Sequence, residues 1–186
     1  QAVMGVWDAE RQAGYLLSIG PEGAALTTGD GSGSVSRTAT KGLMTPREWY
    51  RVTASYDAAT GQVNVSQDPC NVDGRGETAR QASGTHKTGP TLQGDIPFLV
   101  GAAWGGQGNA DGIRPVMCFN GKVEAPRVAG TVADALSATD CLLAWDLSRS
   151  IKSLSVEDVS GDACHGHTVN LPTRAVTGSN WTSDQH

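Results

Sequence analysis

Residues 49–69, WYRVTASYDAATGQVNVSQDP, constrain the fold most because they contain two segments with a two-residue hydrophobic period. The first segment alternates polar side chains with the apolar residues Tyr50, Val52, Ala54 and Tyr56. Successive side chains of a strand point to opposite faces, so this period predicts a strand with one buried face. Val63 and Val65 repeat the pattern, and Gly61 can take the positive φ of a hairpin loop. The stretch therefore predicts an antiparallel hairpin.

Further strand-like segments recur along the chain and are separated by turn sequences. Residues 15–19 and 24–27 flank Gly-Pro-Glu-Gly and predict a second hairpin. Residues 116–128 contain Asn120-Gly121, which is typical of a type I′ turn and predicts a third hairpin. Residues 96–104 predict a strand buried on both faces. The glycine-rich stretch 29–34 lacks the lysine of a phosphate-binding loop, so we interpret it as a turn.

Two segments depart from the strand pattern. Residues 70–94 are polar and aperiodic, which predicts a surface excursion. Residues 131–139 have alanines and aliphatic residues at helical spacing and predict a helix of one or two turns. Strand-like pieces return between residues 142 and 173. With 186 residues and 24 glycines, the chain predicts a single all-β domain over residues 1–186, a sandwich or a barrel.

Charge and cysteine content limit the partners and the compartment. The net charge of -5 and the pI near 5.2 argue against nucleic acid or an anionic membrane as a partner. The longest apolar run, residues 96–104, is too short for a membrane helix. The four cysteines have long, irregular spacings, so we expect free thiols and a cytoplasmic location. We expect no signal peptide before the first strand, and we expect that the chain is processed or excised from a longer protein.

The sequence predicts no catalytic residue. Acidic residues lie close together at Asp8 with Glu10 and at Glu157 with Asp158, but neither pair has the spacing of facing carboxylates within a strand. A glycosidase is therefore an unfavoured hypothesis. A Ser-His-Asp triad is also unfavoured, because the chain has no G-x-S-x-G elbow and its histidines have loop-like contexts.

The sequence also predicts no metal site and no cofactor. Cys164, His165 and His167 are the one cluster of zinc-ligand types, but adjacent ligands in one short loop rarely converge on one ion. A calcium site in the loops is an alternative hypothesis, with the candidate oxygens on Asp30, Asn109, Asp111, Asp158 and Asp162, although none of these follows the spacing of an EF-hand loop. Sugar-stacking platforms require exposed aromatic rings, and the candidates are Trp7, Trp49, Trp104, Trp145 and Trp181.

The order of motifs resembles a known family. The segments GYLLSIG, WYRVTASYDAATGQVNVSQ and FNGKVEAPRVA are similar to strands of the laminin G-like, concanavalin A-like jelly roll. Residues 144–181, AWDLSRSIKSLSVEDVSGDACHGHTVNLPTRAVTGSNW, resemble the large (beta) subunit of bacterial N,N-dimethylformamidase and its relatives. The second glycine of the family's SGNG loop is replaced by Ala163, which puts a positive φ at this position in doubt.

This resemblance implies an antiparallel β-sandwich inside a hydrolase of linear amides. It also implies that the catalytic iron, held by tyrosines and a carboxylate, lies in another part of the large subunit. We therefore expect a non-catalytic domain whose partners are other domains or subunits of the parent enzyme. The alternative hypothesis is a carbohydrate-binding module, which the fold would also support.

The late strands are expected to complete the sandwich. Residues 142–173 resemble a segment that comes first in many laminin G-like modules, so we expect a rearranged strand order. An antiparallel sheet missing a strand would expose backbone groups and an apolar inner face. The expected inward-facing residues are Leu143, Trp145, Val159 and Val169.

Overall fold

The computed structural model describes residues 1–70, 78–92, 94–108, 112–135, 140–170 and 172. These residues form two compact units, Gln1–Gly121 and Lys122–His186. The strands of the first unit are β1 (Ala2–Asp8), β2 (Ala13–Gly20), β3 (Gly23–Asp30), β4 (Val35–Ala39), β5 (Tyr50–Tyr56), β6 (Gln62–Pro69), β7 (Arg80–Thr85), β8 (Leu99–Val100), β9 (Ala103–Trp104) and β10 (Pro115–Val116). The second unit contains β11 (Arg127–Val128), α1 (Val132–Ala135), β12 (Leu143–Asp146), β13 (Ser155–Asp158) and β14 (Gly166–His167).

The larger sheet of the first unit has the order β10-β9-β1-β2-β3-β4, and β8 also pairs with β1. Its pairs are antiparallel except for the contact of β1 with β9. The predicted hairpin between β2 and β3 is confirmed, because Gly20 pairs with Gly23 across the turn. Gly23 has a φ of 82°, which explains why a glycine ends this turn.

The smaller sheet has the order β5-β6-β7 and contains the predicted hairpin. Tyr56 pairs with Val63 and Ala54 pairs with Val65, so the apolar residues share one face as the period required. Val63 and Val65 are fully buried and form one core cluster with Ala24 and Leu26 of β3. The two sheets therefore pack face to face, and the predicted antiparallel β-sandwich is confirmed. Burying each valine contributes about 1.5 to 3 kcal/mol.

A fully buried glutamine also connects the two sheets. The Oε1 atom of Gln67 accepts hydrogen bonds from the backbone N–H of Ala24 at 3.0 Å and from the Thr40 hydroxyl at 2.6 Å. Its Nε2 atom donates to the carbonyl oxygen of Gly42 at 3.0 Å. Because a buried polar group without partners costs free energy, these three hydrogen bonds fix the position of β6 against β3.

Three predicted elements differ in the structure. The predicted surface excursion over residues 70–94 contains the strand β7, which pairs with β6. The small polar residues of β7 conceal its two-residue period. Residues 71–77 and 93 lie outside the described residues. The predicted strand 96–104 is divided into β8 and β9, because Gly101 adopts a φ of 82°. The predicted hairpin 116–128 is wrong, since β10 pairs with β9 and β11 pairs with β12.

The second unit contains an antiparallel sheet of order β11-β12-β13-β14. The predicted helix begins at Val132, and residues 136–139 lie outside the described residues. The expected inward residues Leu143, Trp145, Val159 and Val169 are half-buried, whereas the buried residues in the described part of this unit are Pro126, Cys141, Ala144, Val156 and Asp158. That residues 142–173 complete the sandwich stays a prediction, as does a single domain over residues 1–186.

All four cysteines are free thiols, and Cys141 is the buried one. Within the described ranges, no helix is long and apolar enough to cross a membrane.

Candidate functional site

The segment from Asp158 to Gly166, here called the Asp158 loop, connects β13 to β14. It belongs to residues 144–181, the stretch that resembles the beta subunit of bacterial N,N-dimethylformamidase. Trp145 of β12 pairs with Asp158, so the loop begins beside the indole ring. A Cβ added at Gly166 would lie 2.7 Å from that ring, so close packing requires a glycine here.

The carboxylate of Asp158 organises this loop. Its Oδ1 atom accepts the backbone N–H of Ala144 at 2.9 Å and that of Ser160 at 3.0 Å. Its Oδ2 atom accepts the Ser160 hydroxyl at 2.8 Å and the backbone N–H of Cys164 at 2.9 Å. One side chain therefore binds the neighbouring strand and both sides of the loop.

These hydrogen bonds keep Asp158 ionised. Burial by itself raises the pKa of the carboxyl, but the hydrogen bonds from Ala144, Ser160 and Cys164 together outweigh it and lower the pKa to about 2. Hydrogen bonds to the charged form of an acid favour that form. A carboxylate with four donors and so low a pKa is a poor general base, because its lone pairs are already occupied.

The backbone of the loop resolves the doubt about Ala163. Gly161 has a φ of 106° and Ala163 has a φ of 55°. Ala163 therefore adopts the left-handed conformation that its Cβ disfavours. An L-residue in this region costs about 1 to 2 kcal/mol relative to its preferred conformation.

The three predicted zinc-ligand candidates have separate roles. The backbone N–H of Asp158 donates to Nδ1 of His165 at 3.1 Å, so this ring atom has no hydrogen. The carbonyl oxygen of Cys164 accepts the indole N–H of Trp145 at 2.8 Å, while its thiol is exposed. His167 lies in β14 opposite Ser155. In the described part of the chain, no group of three or more His, Cys, Asp or Glu side chains could hold a metal ion.

The sequence did not predict the pairing of two carboxylates, those of Asp146 and Glu157. Asp146 of β12 and Glu157 of β13 are direct cross-strand partners, a relation that depends on the strand register. Arg149 lies between them, 2.9 Å from Asp146 Oδ2 and 3.7 Å from Glu157 Oε2. The hydrogen bond from the Ser148 side chain, with the nearby charge of Arg149, lowers the pKa of Asp146. Asp146 is therefore unsuited to act as a general acid near neutral pH.

Among the described residues, the candidate calcium ligands and the candidate sugar-stacking tryptophans lie in separate parts of the fold. The carboxylate of Asp30 accepts the N–H and hydroxyl of Ser32 in its own turn, and the exposed Asp162 lies in the Asp158 loop; Asn109 and Asp111 lie outside the described residues. Trp7 is buried beside Gly29, which removes it as a sugar-stacking platform. Trp49, Trp104 and Trp145 are half-buried, and Trp181 lies outside the described residues.

The described residues do not fit the iron site that the resemblance implies for the parent subunit. The chain has three tyrosines. The hydroxyl of Tyr50 accepts the N–H of Thr45 at 3.0 Å, and Tyr56 packs against the core between the sheets. Burial raises the pKa of Tyr15, which disfavours the phenolate that would bind iron. The three tyrosine side chains therefore contribute to the packing and hydrogen bonding of the β-sandwich.

The comparisons with known proteins find the same protein that residues 144–181 resemble. No protein-family model matches the chain. The chain is 30% identical to the N,N-dimethylformamidase beta subunit of Paracoccus aminophilus over 216 residues, and 28% identical to that of Alcaligenes sp over 207 residues. Each similarity covers 97% of this chain and 27% of the relative, so the chain spans about a quarter of the length of these relatives. The chain is thus similar, over nearly all of its length, to a segment of these beta subunits.

Proposed function

We propose that this chain is a non-catalytic, laminin G-like segment of an N,N-dimethylformamidase-like amide hydrolase, located in the cytoplasm. Its role would be to pack against other domains or subunits of the parent enzyme. The observation that carries this proposal is the similarity over 97% of the chain to proteins named beta subunits, of which it spans 27%. A segment of a larger subunit has the rest of that subunit as its nearest partner.

The hydrogen bonding of the buried polar groups supports a structural role. Asp8 is 1% exposed, and its Oδ1 atom accepts the backbone N–H groups of Glu10 and Arg11. Gln67 and Asp158 are likewise occupied by backbone groups of their own units. A catalytic base needs a lone pair that can reach a substrate. These groups instead stabilise the turns and strands around them.

Each unit has exposed leucines that are candidate contact residues, Leu43 and Leu92 in the first unit and Leu142 and Leu154 in the second. Leu43 is 71% exposed, Leu92 60%, Leu142 57% and Leu154 58%. Covering one such side chain in an interface contributes up to about 1.5 to 3 kcal/mol.

The amidase arm of the test compares the 186-residue chain with the full parent enzyme. We expect dimethylamine release from N,N-dimethylformamide by the parent enzyme and none by the chain alone. Release by the purified chain that a chelator abolishes would contradict the non-catalytic proposal.

The packing arm uses the full parent enzyme with Leu154→Ser and, as a matched control two residues away, Lys152→Ser; both side chains are exposed. We expect Leu154→Ser to weaken the assembly or its thermal stability and Lys152→Ser to leave both unchanged. Equal behaviour of the two variants would exclude Leu154 from the contact surface.

The alternative is a carbohydrate-binding module. One observation favours it: the indole of Trp145 is held in one orientation by its hydrogen bond to Cys164 and by the close approach of Gly166, as a sugar-stacking platform requires. Glycan-array binding in the presence of calcium, lost on Trp145→Ala, would support this alternative; a blank array would exclude it for the glycans tested.

A further inference from the structure

His86 is a buried histidine placed between the two sheets of the first unit. It follows β7 directly, is 5% exposed, and donates its backbone N–H to the carbonyl oxygen of Gly61 at 2.9 Å. Its Nδ1 atom lies 2.7 Å from the Thr28 hydroxyl on β3, and its Nε2 atom lies 3.0 Å from the Thr38 hydroxyl on β4. One ring thus connects the smaller sheet to two strands of the larger sheet.

The partners of the ring determine where its proton lies. The Thr28 hydroxyl donates to the carbonyl oxygen of Thr88 at 2.6 Å, and a carbonyl can only accept. Thr28 must therefore accept from His86, which places the ring hydrogen on Nδ1. In a neutral ring Nε2 then accepts from the Thr38 hydroxyl. Every hydrogen of this network is accounted for by a neutral imidazole.

The surroundings provide no counter-charge for a protonated ring. The following titratable side chains lie on, or next to, the paired residues around Thr28, Thr38 and Thr85: Tyr15, Asp30, Arg37, Tyr56, Asp57 and Lys87. Asp30 and Asp57 accept N–H groups of their own turns, and Arg37 forms an ion pair with Glu22. Among the residues with described positions, no carboxylate forms an ion pair with His86. Lys87, the next residue in the chain, has the same sign of charge as an imidazolium.

His86 is also the first residue of a segment, residues 86–91, that is hydrogen-bonded to the larger sheet. Residues 86–91 are attached to the larger sheet through the Thr88 carbonyl, through the Thr88 N–H to the Ser36 hydroxyl at 3.3 Å, and through the Thr91 N–H to the Gly29 carbonyl at 3.0 Å. A change at His86 therefore acts on a defined stretch of backbone.

We propose that His86 is an acid-sensitive latch, whose neutral ring holds residues 86–91 against β3 and β4 and whose protonation releases them. Protonation would bring a charge into a buried site and would require Thr38 to accept a hydrogen bond where it now donates one. The cost of an uncompensated buried charge exceeds that of opening a short surface segment. This inference is independent of the proposed function.

The expected pH range follows from the direction of the pKa. Burial lowers the pKa of His86 from its ordinary value of 6.5. The folded chain therefore binds fewer protons than the unfolded chain just below pH 6.5, so stability is complete above this value and falls as the pH decreases through it. The same linkage makes opening of residues 86–91 increasingly favourable as the pH falls below 6.5, and the effect levels off below the lowered pKa of the closed state.

The test uses the 186-residue chain with His86→Gln, which keeps one donor and one acceptor but cannot titrate. The exposed His167→Gln is the matched control. Hydrogen exchange of residues 86–91, corrected for the intrinsic rate, is measured at about pH 7.5 and about pH 5, on either side of the ordinary imidazole pKa. We expect exchange to accelerate about tenfold or more at the lower pH in the parent and in His167→Gln, and not in His86→Gln.

An acceleration of the same size in His86→Gln would overturn the proposal. If His86→Gln does not fold, nitrogen NMR of the ring in the unsubstituted chain provides the test. An Nδ1–H tautomer at neutral pH, with a transition that coincides with the opening of residues 86–91, would support the latch. A ring that titrates while the segment stays closed would refute it.

Discussion

Replacing Asp158 by asparagine tests how one carboxylate organises the second unit. The substitution retains the shape of the side chain and removes its charge. The new amide oxygen can still accept two of the four hydrogens, but its NH₂ group must then face the remaining donors, Ser160 Oγ and Cys164 N, that now lie 2.8 and 2.9 Å from Oδ2. The Ser160 hydroxyl can turn and accept from this NH₂ group, but the backbone N–H of Cys164 cannot, so the variant places donor against donor at Cys164.

The magnitude follows from the pKa. The difference between about 2 in the folded chain and the ordinary 3.8 corresponds to about 2.5 kcal/mol of preference for the ionised form. Solvent screening at the 9% exposed side chain reduces this to about 1 to 2 kcal/mol. An unsatisfied N–H at Cys164 adds about 1 to 2 kcal/mol. We expect Asp158→Asn to lower the free energy of unfolding by about 2 to 4 kcal/mol at neutral pH.

The pH dependence has a defined sign. Because the folded pKa of Asp158 is lowered, its contribution is present above pH 3.8 and is lost as the pH falls toward about 2. The difference between the parent chain and Asp158→Asn should therefore shrink over this range. A bond that did not involve the charge would give a difference independent of pH.

The assay is urea unfolding of the 186-residue chain at several pH values, with hydrogen exchange of the amides of Ala144, Ser160 and Cys164. The matched control is Asp162→Asn, the same chemical change at an exposed position of the same loop, for which we expect a loss below about 0.5 kcal/mol. A loss below about 1 kcal/mol for Asp158→Asn, or one equal at pH 7 and pH 2.5, would refute the reasoning.

Two further substitutions test the backbone and the core. Ala163→Gly should raise the free energy of unfolding by about 0.5 to 1 kcal/mol, because glycine adopts the φ of 55° without strain at some cost in unfolded-state entropy; a lower thermal midpoint would contradict the left-handed conformation. Gln67→Met conserves volume but leaves Ala24 N–H, the Thr40 hydroxyl and Gly42 C=O without their partner, so unfolding by urea should become easier by about 2 to 4 kcal/mol. Gln62→Met, exposed on the same strand, is the control and should change stability by less than about 0.5 kcal/mol.

Local patterns were sufficient where a strand pairs with its neighbour in sequence. The hairpins of β2 with β3 and of β5 with β6 were predicted because turn residues and a two-residue period act over short distances. The C-terminal motif likewise indicated the similarity to the N,N-dimethylformamidase beta subunits. These features depend on residues close together in the chain.

Pairing between distant segments was decided by tertiary structure. The Asn-Gly of residues 120–121 carries a strong hairpin signal, yet β10 pairs with β9 and β11 with β12. The period of β7 is concealed by its small polar residues, and only its ladder with β6 identifies it as a strand. A turn propensity of a few tenths of a kcal/mol is outweighed when other pairings bury more apolar surface.

The polar centres of the molecule also required the fold. His86 and Gln67 are ordinary polar residues in the sequence, and each becomes a buried connector only because the two sheets face each other. Asp158 stands beside Glu157 in the sequence, but the register gives Asp158 four donors and places Glu157 opposite Asp146. Sequence determines which side chains can accept or donate hydrogen bonds. Packing determines which of these side chains lose their water and must find a partner within the protein. The loss of water gives these side chains their effect on stability and on its pH dependence.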